Sequence, residues 1–313
     1  MKLSLIVPCY NEQDNVQEFY HCTKACFLGK LDNYEIVFVN DGSTDKTLEK
    51  LKTLTEYDTP AVQIVSFSRN FGKEAAIYAG LTRSRGDTVC IIDADLQQRP
   101  EVVLEMIGIL DSKPELDCVC AYQEKRKENG LISFTKSMFY KIINKLSEVD
   151  FVNGASDFRL MKRTMVNAIL SMTEYHRFSK GIFSWIGFNT EYIPYEVCER
   201  KHGNTKWGTR KLFKYAMGGI IAFSTAPLKF VTFVGFLSAV LSVAYMIFVI
   251  IQKLCFGIDV PGFATIIVLI LLMGGLILFC LGIIGEYLAK MYVQLKNRPL
   301  YIEKEHIEND SNK

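Results

Sequence analysis

Two carboxylates separated by a single residue, Asp93 and Asp95, directly follow the apolar residues 88–92. Carboxylate oxygens at this spacing, with the side-chain oxygen of Gln97 nearby, are suitable ligands for Mg²⁺ or Mn²⁺. A divalent cation bound there can neutralise a diphosphate group that leaves during a reaction. An isolated pair of this kind also occurs in acidic turns exposed to solvent, so its meaning depends on the accompanying residues.

The elements that would position these carboxylates are indicated by apolar runs that alternate with amphipathic segments. Runs rich in valine and isoleucine predict strands at residues 2–7, 34–39, 62–67, 88–92 and 118–122. The amphipathic segments between them predict helices at residues 14–27, 44–57, 73–85 and 101–111. This alternation predicts an α/β fold with a mostly parallel sheet and helices on both of its faces.

Polar clusters follow four of the five predicted strands. They are Asn11-Glu12, Asp41-Gly42-Ser43, Arg69-Asn70 and Asp93-Ala94-Asp95. Open parallel sheets bind their ligands at the carboxyl ends of the strands, so we expect the four clusters to form one site. The first strand is not followed by a GxGxxG motif, which argues against a dinucleotide fold of the dehydrogenase type.

Two long runs without charge, residues 230–251 and 263–284, lie in the C-terminal part of the chain. Each is long enough to cross a hydrocarbon core of roughly 30 Å as a helix, so the pair predicts a transmembrane hairpin. Basic residues flank the outer ends of this hairpin, and the positive-inside rule therefore places both termini in the cytoplasm. A pair of buried helices in a soluble protein is the alternative.

Residues 209–225, just before the first span, mix basic side chains with large apolar ones. This pattern predicts one or two helices on the membrane surface, although a plain helix between domains would have a similar composition. The tail after Tyr301 is strongly charged, and we expect it to be disordered. The predicted organisation is a cytoplasmic domain, surface helices, a membrane hairpin and a cytoplasmic tail, at residues 1–208, 209–228, 229–288 and 289–313.

Charge, cysteine spacing and the N-terminal residues argue against several classes of protein. The formal net charge of +2 is too small to indicate a nucleic-acid-binding protein, and we expect no nucleic acid partner. The nine cysteines include no CxxC pair, which favours free thiols in a reducing compartment over zinc or disulfide sites. Residues 3–7 form a short apolar run that meets Pro8 and a polar turn, unlike a signal peptide.

Seven short motifs are spread from the N-terminal region to residue 302. In chain order they are PCYNE, NDGSTD, SRNFGKEAA, DADLQ, GASDFRLM, RKHGNTKWG and GEYLAKMYVQLKNRPLYI. Together they resemble the motifs of the family 2 glycosyltransferases. They are most similar to those of the polyprenyl-phosphate glycosyltransferases, the group that includes bactoprenol glucosyltransferases and dolichol-phosphate mannose synthase. The resemblance implies a GT-A fold, whose Rossmann-like sheet is covered by helices.

The resemblance also implies a role for each matching residue. Those implied to bind a nucleotide-sugar are Pro8, Tyr10, Asn11, Glu12, Val39, Asp41, Lys73, Asp93, Ala94, Arg200 and Lys206. Those implied to hold Mg²⁺ or Mn²⁺ are Asp93, Asp95 and Gln97. Asp157 matches the family's catalytic carboxylate, and Arg200 matches a catalytic cation over the donor diphosphate.

Structural roles remain open for several of these residues. Asp41 could cap the second helix, although Asp45 is better placed to do so. Asp157 could be a buried structural residue that is paired with Arg159. The basic loop 200–208 could anchor the protein at the membrane surface and also contact phosphates.

The activity that the resemblance implies is inverting transfer of one sugar from a nucleotide-sugar to polyprenyl (undecaprenyl) phosphate at the cytoplasmic face of the membrane. UDP-glucose is the expected donor, and GDP-mannose and UDP-N-acetylglucosamine are the alternatives. A nucleotidyltransferase also combines a parallel sheet with paired carboxylates, but Pro8 to Glu12 is not a Gly-rich phosphate loop. An inactive membrane scaffold is a further class, and the intact set of charged site residues argues against it. Small residues in the second span would allow a homo-oligomer: Gly274, Gly275 and Gly282.

Overall fold

The computed structural model describes residues 2–56, 61–123, 155–196, 198, 224–256 and 262–309. Its strands are β1 (Leu3–Cys9), β2 (Tyr34–Asn40), β3 (Ala61–Phe67), β4 (Thr88–Ile91), β5 (Cys118–Gln123), β6 (Ala155–Lys162), β7 (Thr190–Tyr195) and β8 (Glu303–Glu308). Its helices are α1 (Val16–Phe27), α2 (Thr47–Leu54), α3 (Lys73–Arg83), α4 (Pro100–Ser112), α5 (Arg163–Ser171), α6 (Ser179–Trp185), α7 (Ala226–Phe256) and α8 (Phe263–Leu295). Each strand and helix predicted before residue 123 is present, with small differences at the ends.

The described residues form one eight-stranded sheet in the order β7-β5-β6-β4-β1-β2-β3-β8. Strands β1 to β5 and β7 run in one direction, whereas β6 and β8 run in the opposite direction. This mostly parallel sheet confirms the predicted α/β class. Because β6 is antiparallel to β4 and β5, the start of β6 lies at the edge where those two strands end.

Helices cover both faces of this sheet, as parallel strands with two apolar faces require. In the central strand β1, Leu5 and Val7 join one hydrophobic cluster and Ile6 joins the other, because successive side chains of a strand point to opposite faces. Helices α1, α2 and α4 pack on the first face, and α3, α5 and α6 pack on the second. Each fully buried aliphatic side chain contributes about 1.5–3 kcal/mol, so the core firmly supports the strand ends.

Residues 302–309 of the C-terminal tail are ordered, and the prediction of disorder there is therefore wrong. Residues Glu303–Glu308 form β8, which pairs antiparallel with β3 and covers one edge of the sheet. Ile307 packs against the core, and Glu303 forms an ion pair with Arg83. The charge of the tail indicated disorder, but an open sheet edge offers main-chain hydrogen bonds and cationic partners that the local sequence does not show.

Helices α7 and α8 leave their apolar side chains exposed. The candidate membrane spans within them are Ala226–Gln252 and Ile266–Leu295, and their most apolar stretches contain no buried residue. The predicted runs 230–251 and 263–284 lie within these two helices. Such exposure is unfavourable in water and indicates membrane association, against the alternative of buried helices. Residues 209–223 of the predicted surface helices lie outside the described residues.

Candidate active site

Lys73 connects the two acidic parts of the predicted site. Its Nζ lies 2.7 Å from Asp93 Oδ1 and 3.2 Å from Asp157 Oδ2. The three residues come from different elements, since Lys73 begins α3, Asp93 follows β4 and Asp157 lies near the start of β6. They meet because the antiparallel course of β6 places Asp157 at the edge where β4 ends.

Mutual attraction keeps Lys73 and Asp157 charged. Burial would lower the pKa of the Lys73 ammonium, but Asp93 and Asp157 raise it above its usual range. Burial would raise the pKa of Asp157, but the charges of Lys73 and Lys180 help to lower it. Lys73 is therefore a fixed cation between two carboxylates at neutral pH.

Hydrogen bonds within the turn after β4 fix the orientation of the paired carboxylates. Gln98 Oε1 accepts from Asp93 N at 2.9 Å, and Gln98 Nε2 donates to Asp93 Oδ2 at 3.2 Å. Asp95 Oδ1 accepts from Gln97 N at 3.2 Å, and Leu96 adopts a left-handed conformation with a φ of 59°. The turn thus holds Asp93 and Asp95 in place before a ligand binds.

The loops after β1 and β2 are tied together by hydrogen bonds. Asn11 N donates to Ser43 Oγ at 3.0 Å, and Thr44 N donates to Asn11 Oδ1 at 2.9 Å. Glu12 N donates to Thr47 Oγ1 at 2.9 Å. Asn11 and Glu12 therefore shape these loops, which is a structural role beside the predicted contact with a nucleotide.

Asp41 holds the loop after β3 against the end of β2. Its carboxylate accepts from Phe71 N at 2.6 Å, from Gly72 N at 2.9 Å and from Asn70 Nδ2 at 2.9 Å. Burial raises the pKa of Asp41, while the amides of Phe71 and Gly72 oppose that rise. Since Gly72 directly precedes Lys73, this contact also fixes the start of α3.

Asp41 does not cap α2 in this arrangement. The capping contact comes from Asp45, whose Oδ1 accepts from Thr47 N at 3.0 Å. The neighbouring Gly42 has a φ of +61°, and a Cβ at this position would lie 2.2 Å from the carbonyl carbon of Arg69. Only glycine fits between the two loops without strain.

Asp157 and Arg159 form no ion pair among the described residues. A purely structural role for Asp157 would require that ion pair. The Arg159 guanidinium lies 3.6 Å from the Phe183 ring centroid, and its Nη2 donates to Ser156 O at 2.9 Å. Asp157 Oδ1 is buried and has no hydrogen-bond partner in the described part of the chain. One oxygen of Asp157 thus pairs with Lys73, and the other is enclosed without a partner among the described residues.

Sequence reasoning assigned no role to Glu74 and Gln98, although both adjoin predicted site residues. Ser179 N donates to Glu74 Oε2 at 3.0 Å, and the Ser179 hydroxyl donates to the same oxygen. Burial and the charge of Asp157 raise the pKa of Glu74 to about 7. Glu74 therefore attaches α6 to the first turn of α3, next to Asp157. The position of Glu74 next to Lys73 in the sequence was the signal that could have identified it as a site residue.

The other predicted contact residues differ in accessibility. Tyr10 is 38% exposed after β1, and Pro8 is partly buried near the end of that strand. Val39 and Ala94 are buried, at 0% and 2% exposed. Two predicted cations lie outside the described residues, namely Arg200 and Lys206.

Asp93, Asp95 and Gln97 are suited to a divalent cation that arrives with a ligand. The described residues contain no group of three histidine, cysteine or acidic side chains that could enclose a metal by themselves. Mg²⁺ commonly takes one or two protein carboxylates and fills its other positions with water and substrate phosphate oxygens. The Lys73 ammonium lies 2.7 Å from Asp93, so this carboxylate already has one cationic partner. The residues therefore fit a metal bound together with a diphosphate.

Two family models match the chain. The model described as "Glycosyl transferase family 2" matches residues 4–170, which include Lys73, Asp93 and Asp157. The model described as "GtrB C-terminal hairpin" matches residues 226–291, which include α7 and most of α8. The two matches thus fall on the domain with the site and on the apolar helices.

Relatives match over nearly the whole chain. CsbB of Bacillus subtilis (strain 168), named as a glycosyltransferase, is 43% identical over 97% of this chain and 91% of its own length. The SfII prophage-derived bactoprenol glucosyl transferase of Shigella flexneri is 40% identical over 97% of this chain and 98% of its own length. The prophage bactoprenol glucosyl transferase homolog of Escherichia coli (strain K12) is 39% identical over 97% of this chain and 99% of its own length.

Proposed function

Because the chain belongs to glycosyl transferase family 2, and is therefore a glycosyltransferase, we propose that it moves one sugar from a nucleotide-sugar to polyprenyl phosphate at the membrane surface. The family assignment confirms the resemblance of the sequence motifs. The main support is the meeting of Lys73, Asp93 and Asp157 in a chain that continues into two exposed apolar helices.

A lipid acceptor explains why the domain with the site is joined to a hairpin. The relatives from Shigella flexneri and Escherichia coli are named for bactoprenol. The end of α8 contacts the site domain directly, since Tyr175 N donates to Gln294 Oε1 at 2.7 Å and Gln294 Nε2 donates to Thr173 O at 3.1 Å. These contacts support a site that is held close to the headgroups, where a lipid phosphate can reach it.

Both ends of the chain lie in the cytoplasm in this proposal. Strands β1 and β8 belong to one sheet, so the chain after α8 returns to the domain from which it entered α7. Two membrane spans are consistent with that return. The basic residues outside the hairpin favour the cytoplasmic side for this domain.

The donor would bind at the ends of β1 to β4. Asp93, Asp95 and Gln97 would hold Mg²⁺ or Mn²⁺, which supplies positive charge to offset that of the departing nucleoside diphosphate. Lys73 adds a cation from the chain itself to the same region. We propose UDP-glucose as the donor because two relatives are named for glucosyl transfer, with GDP-mannose and UDP-N-acetylglucosamine as the competing donors.

Asp157 would orient the acceptor. Its lowered pKa makes it a weak proton acceptor at neutral pH. A phosphate monoester is already largely ionised at that pH, so it needs little help from a base. Through its contact with Lys73, Asp157 would hold the ammonium where it can meet the acceptor phosphate. The phosphate oxygen would attack the anomeric carbon from the face opposite the leaving diphosphate, with inversion.

The test is transfer of labelled sugar to lipid. Membranes that contain the protein are incubated with labelled UDP-glucose, GDP-mannose or UDP-N-acetylglucosamine and then extracted with organic solvent. We expect label in the lipid phase from UDP-glucose, loss of that label with EDTA, and its return when Mg²⁺ is added in excess. Asp95→Ala should lower the rate more than about 100-fold, whereas Asp111→Ala, an exposed change at the end of α4, should leave it unchanged. No lipid label with any of the three donors would contradict the proposal.

A further inference from the structure

The chain that follows α8 reaches the donor side of the site. Residues 299–309, here called the C-terminal strap, contain β8 and lie along β3 at the edge of the sheet. Phe67, the last residue of β3, is paired with Glu303, and Ser68 N donates to Ile302 O at 3.0 Å. The pairing therefore extends past the end of β3, up to the donor loop, which we define as residues 69–72.

Three aromatic rings connect the C-terminal strap to the donor loop. Tyr301 stacks on Phe67, with ring centroids 4.7 Å apart and an angle of 20° between the planes. Phe67 in turn meets Phe71 edge to face, at 5.8 Å and 89°. Phe67 is only 2% exposed, so the rings of Tyr301 and Phe71 help to enclose it. Aromatic pairs stabilise a structure beyond the area that they bury, so the three rings form a firm contact.

The donor loop has a direct effect on the charged site. The main-chain amides of Phe71 and Gly72 donate to Asp41, and Lys73 follows as the first residue of α3. A shift of Phe71 would therefore move the Asp41 contact and the start of α3 together. The position of the Lys73 ammonium between its two carboxylates depends on that start.

The end of α8 supports the same helix start from the other side. Gln294 bonds with the main chain of Thr173 and Tyr175, in the loop that leads to α6. The first residue of α6, Ser179, donates to Glu74, which follows Lys73. Two separate connections from the end of the hairpin thus lead to the first two residues of α3.

We propose that the C-terminal strap positions the donor loop and that Tyr301 is the positioning residue through which it acts. The inference rests on the proposed binding of a nucleotide-sugar beside Asp41 and Lys73. Without the Tyr301 ring, one face of Phe67 is uncovered and Phe71 loses part of its support. The donor loop then opens more often, and the donor binds more weakly. The chemical step after binding is little changed, because a bound donor holds the loop closed and Lys73 then takes the same position as in the wild type.

The first measurement is hydrogen exchange at the donor loop in the full-length protein in detergent, without nucleotide. In Tyr301→Ala, the amides of Phe71 and Gly72 should exchange about tenfold faster than in the wild type. Tyr301→Phe keeps the ring and should restore the wild-type rate. Ile302→Ala is the matched control, because this side chain is 54% exposed and alanine keeps the main-chain carbonyl that accepts from Ser68.

The second measurement is the affinity for UDP in the presence of Mg²⁺, together with kcat and KM for UDP-glucose. Tyr301→Ala should raise the Kd and the KM about tenfold and change kcat less than about twofold. Tyr301→Phe and Ile302→Ala should match the wild type. A general loss of folding would lower kcat as well, so the split between KM and kcat separates positioning from unfolding.

The outcomes distinguish this inference from the proposed function. If the wild type binds UDP and Tyr301→Ala binds it equally well, with unchanged exchange at Phe71, the strap does not position the donor loop. If Ile302→Ala perturbs both measurements as much as Tyr301→Ala, Tyr301 is not the connecting residue. If the wild type binds no nucleotide, the proposed function and the donor role of the strap both fail, while faster exchange in Tyr301→Ala would still identify the contact.

Discussion

Opposite charges hold one another in place at the level of single residues. Lys73 stands between Asp93 and Asp157, and Gln98 orients Asp93 from the other side. Charged groups that are already oriented require little reorganisation when a diphosphate arrives, and this is the main source of electrostatic catalysis. A metal on Asp93 and Asp95 would have to share Asp93 with the ammonium, so we expect metal, donor and Lys73 to act as one unit.

Replacement of Lys73 tests this unit. Lys73→Met removes the cation between the carboxylates and should lower kcat about 100-fold in the lipid-transfer assay. Lys113→Met is the matched control, because Lys113 also forms an ion pair, with Glu191 at 2.6 Å, and is similarly exposed at 47% against 42%. The control should stay within about twofold of the wild type, since exposed ion pairs contribute little. Equal rates for the two variants would exclude a special role for Lys73.

Glu74 should make stability depend on pH. Its folded-state pKa of about 7 lies above the usual 4.5, so the folded protein keeps a proton that the unfolded chain releases between these values. The bound proton stabilises the folded protein fully below about pH 4.5. As the pH rises through about 7, this contribution to the free energy of unfolding, up to about 3 kcal/mol, is lost.

Glu74→Gln imitates the protonated form at every pH and is the variant for this test. Between about pH 5 and pH 8, the Tm of the wild type should fall relative to that of Glu74→Gln. Glu105→Gln, an exposed change on α4, should follow the wild-type curve. Parallel curves for the wild type and Glu74→Gln would show that Glu74 ionises normally.

At the level of elements, the site depends on loops that support one another. The loops after β1 and β2 exchange hydrogen bonds through Asn11, and Asp41 joins the loop after β2 to the donor loop. Strand β6 adds Asp157 only because it runs against its neighbours. The positions of the site residues therefore depend on the contacts between these loops.

A change at Gly42 tests the contact between two of these loops. Gly42→Ala places a Cβ 2.2 Å from the backbone of Arg69 in a left-handed conformation and should lower the free energy of unfolding by about 2–5 kcal/mol. Gly29→Ala is the matched control, because Gly29 has a φ of +69° but nothing within 4 Å of its Cβ position, so it should cost about 1 kcal/mol. Thermal melting in detergent measures both. A similar loss in the two variants would show that the loops separate easily.

At the level of the whole molecule, the hairpin of α7 and α8 interrupts a single folded domain. The chain leaves the sheet after β7, passes through α7 and α8, and returns to add β8 beside β3. The hairpin is therefore attached to the site domain at both of its ends. If α7 and α8 cross the membrane as proposed, this double attachment restricts how far the site can move from the lipid surface.

Membrane insertion can be tested by placing a charged side chain on the lipid-facing surface of α8. Leu271, on α8, is 69% exposed, and Leu271→Arg should weaken insertion by about 2.5–3.5 kcal/mol because the charge would enter the hydrocarbon layer. Leu28→Arg is the control, since Leu28 is 79% exposed in the loop after α1 and should tolerate the charge. The fraction that remains with membranes after an alkaline carbonate wash is the measurement. Full retention of Leu271→Arg would contradict a spanning α8.

The features that depend on local pattern could be predicted from the amino-acid sequence. Strands β1 to β5 are buried on both faces, so they stand out as short apolar runs between amphipathic helices. Helices α7 and α8 stand out because each contains a long uncharged stretch that is apolar on every face. The polar clusters at the strand ends also followed directly, because parallel strands end at one edge of the sheet.

Which of these residues meet became clear from the folded chain alone. The contact of Lys73 with Asp157 depends on the reversed direction of β6, and β8 depends on a free edge at β3. Neither dependence is visible in the local sequence, since direction and pairing are set by contacts between segments far apart in the chain. For that reason the tail after Tyr301 was indicated as disordered, and the partners of Glu74 and Gln98 became apparent only in the folded chain.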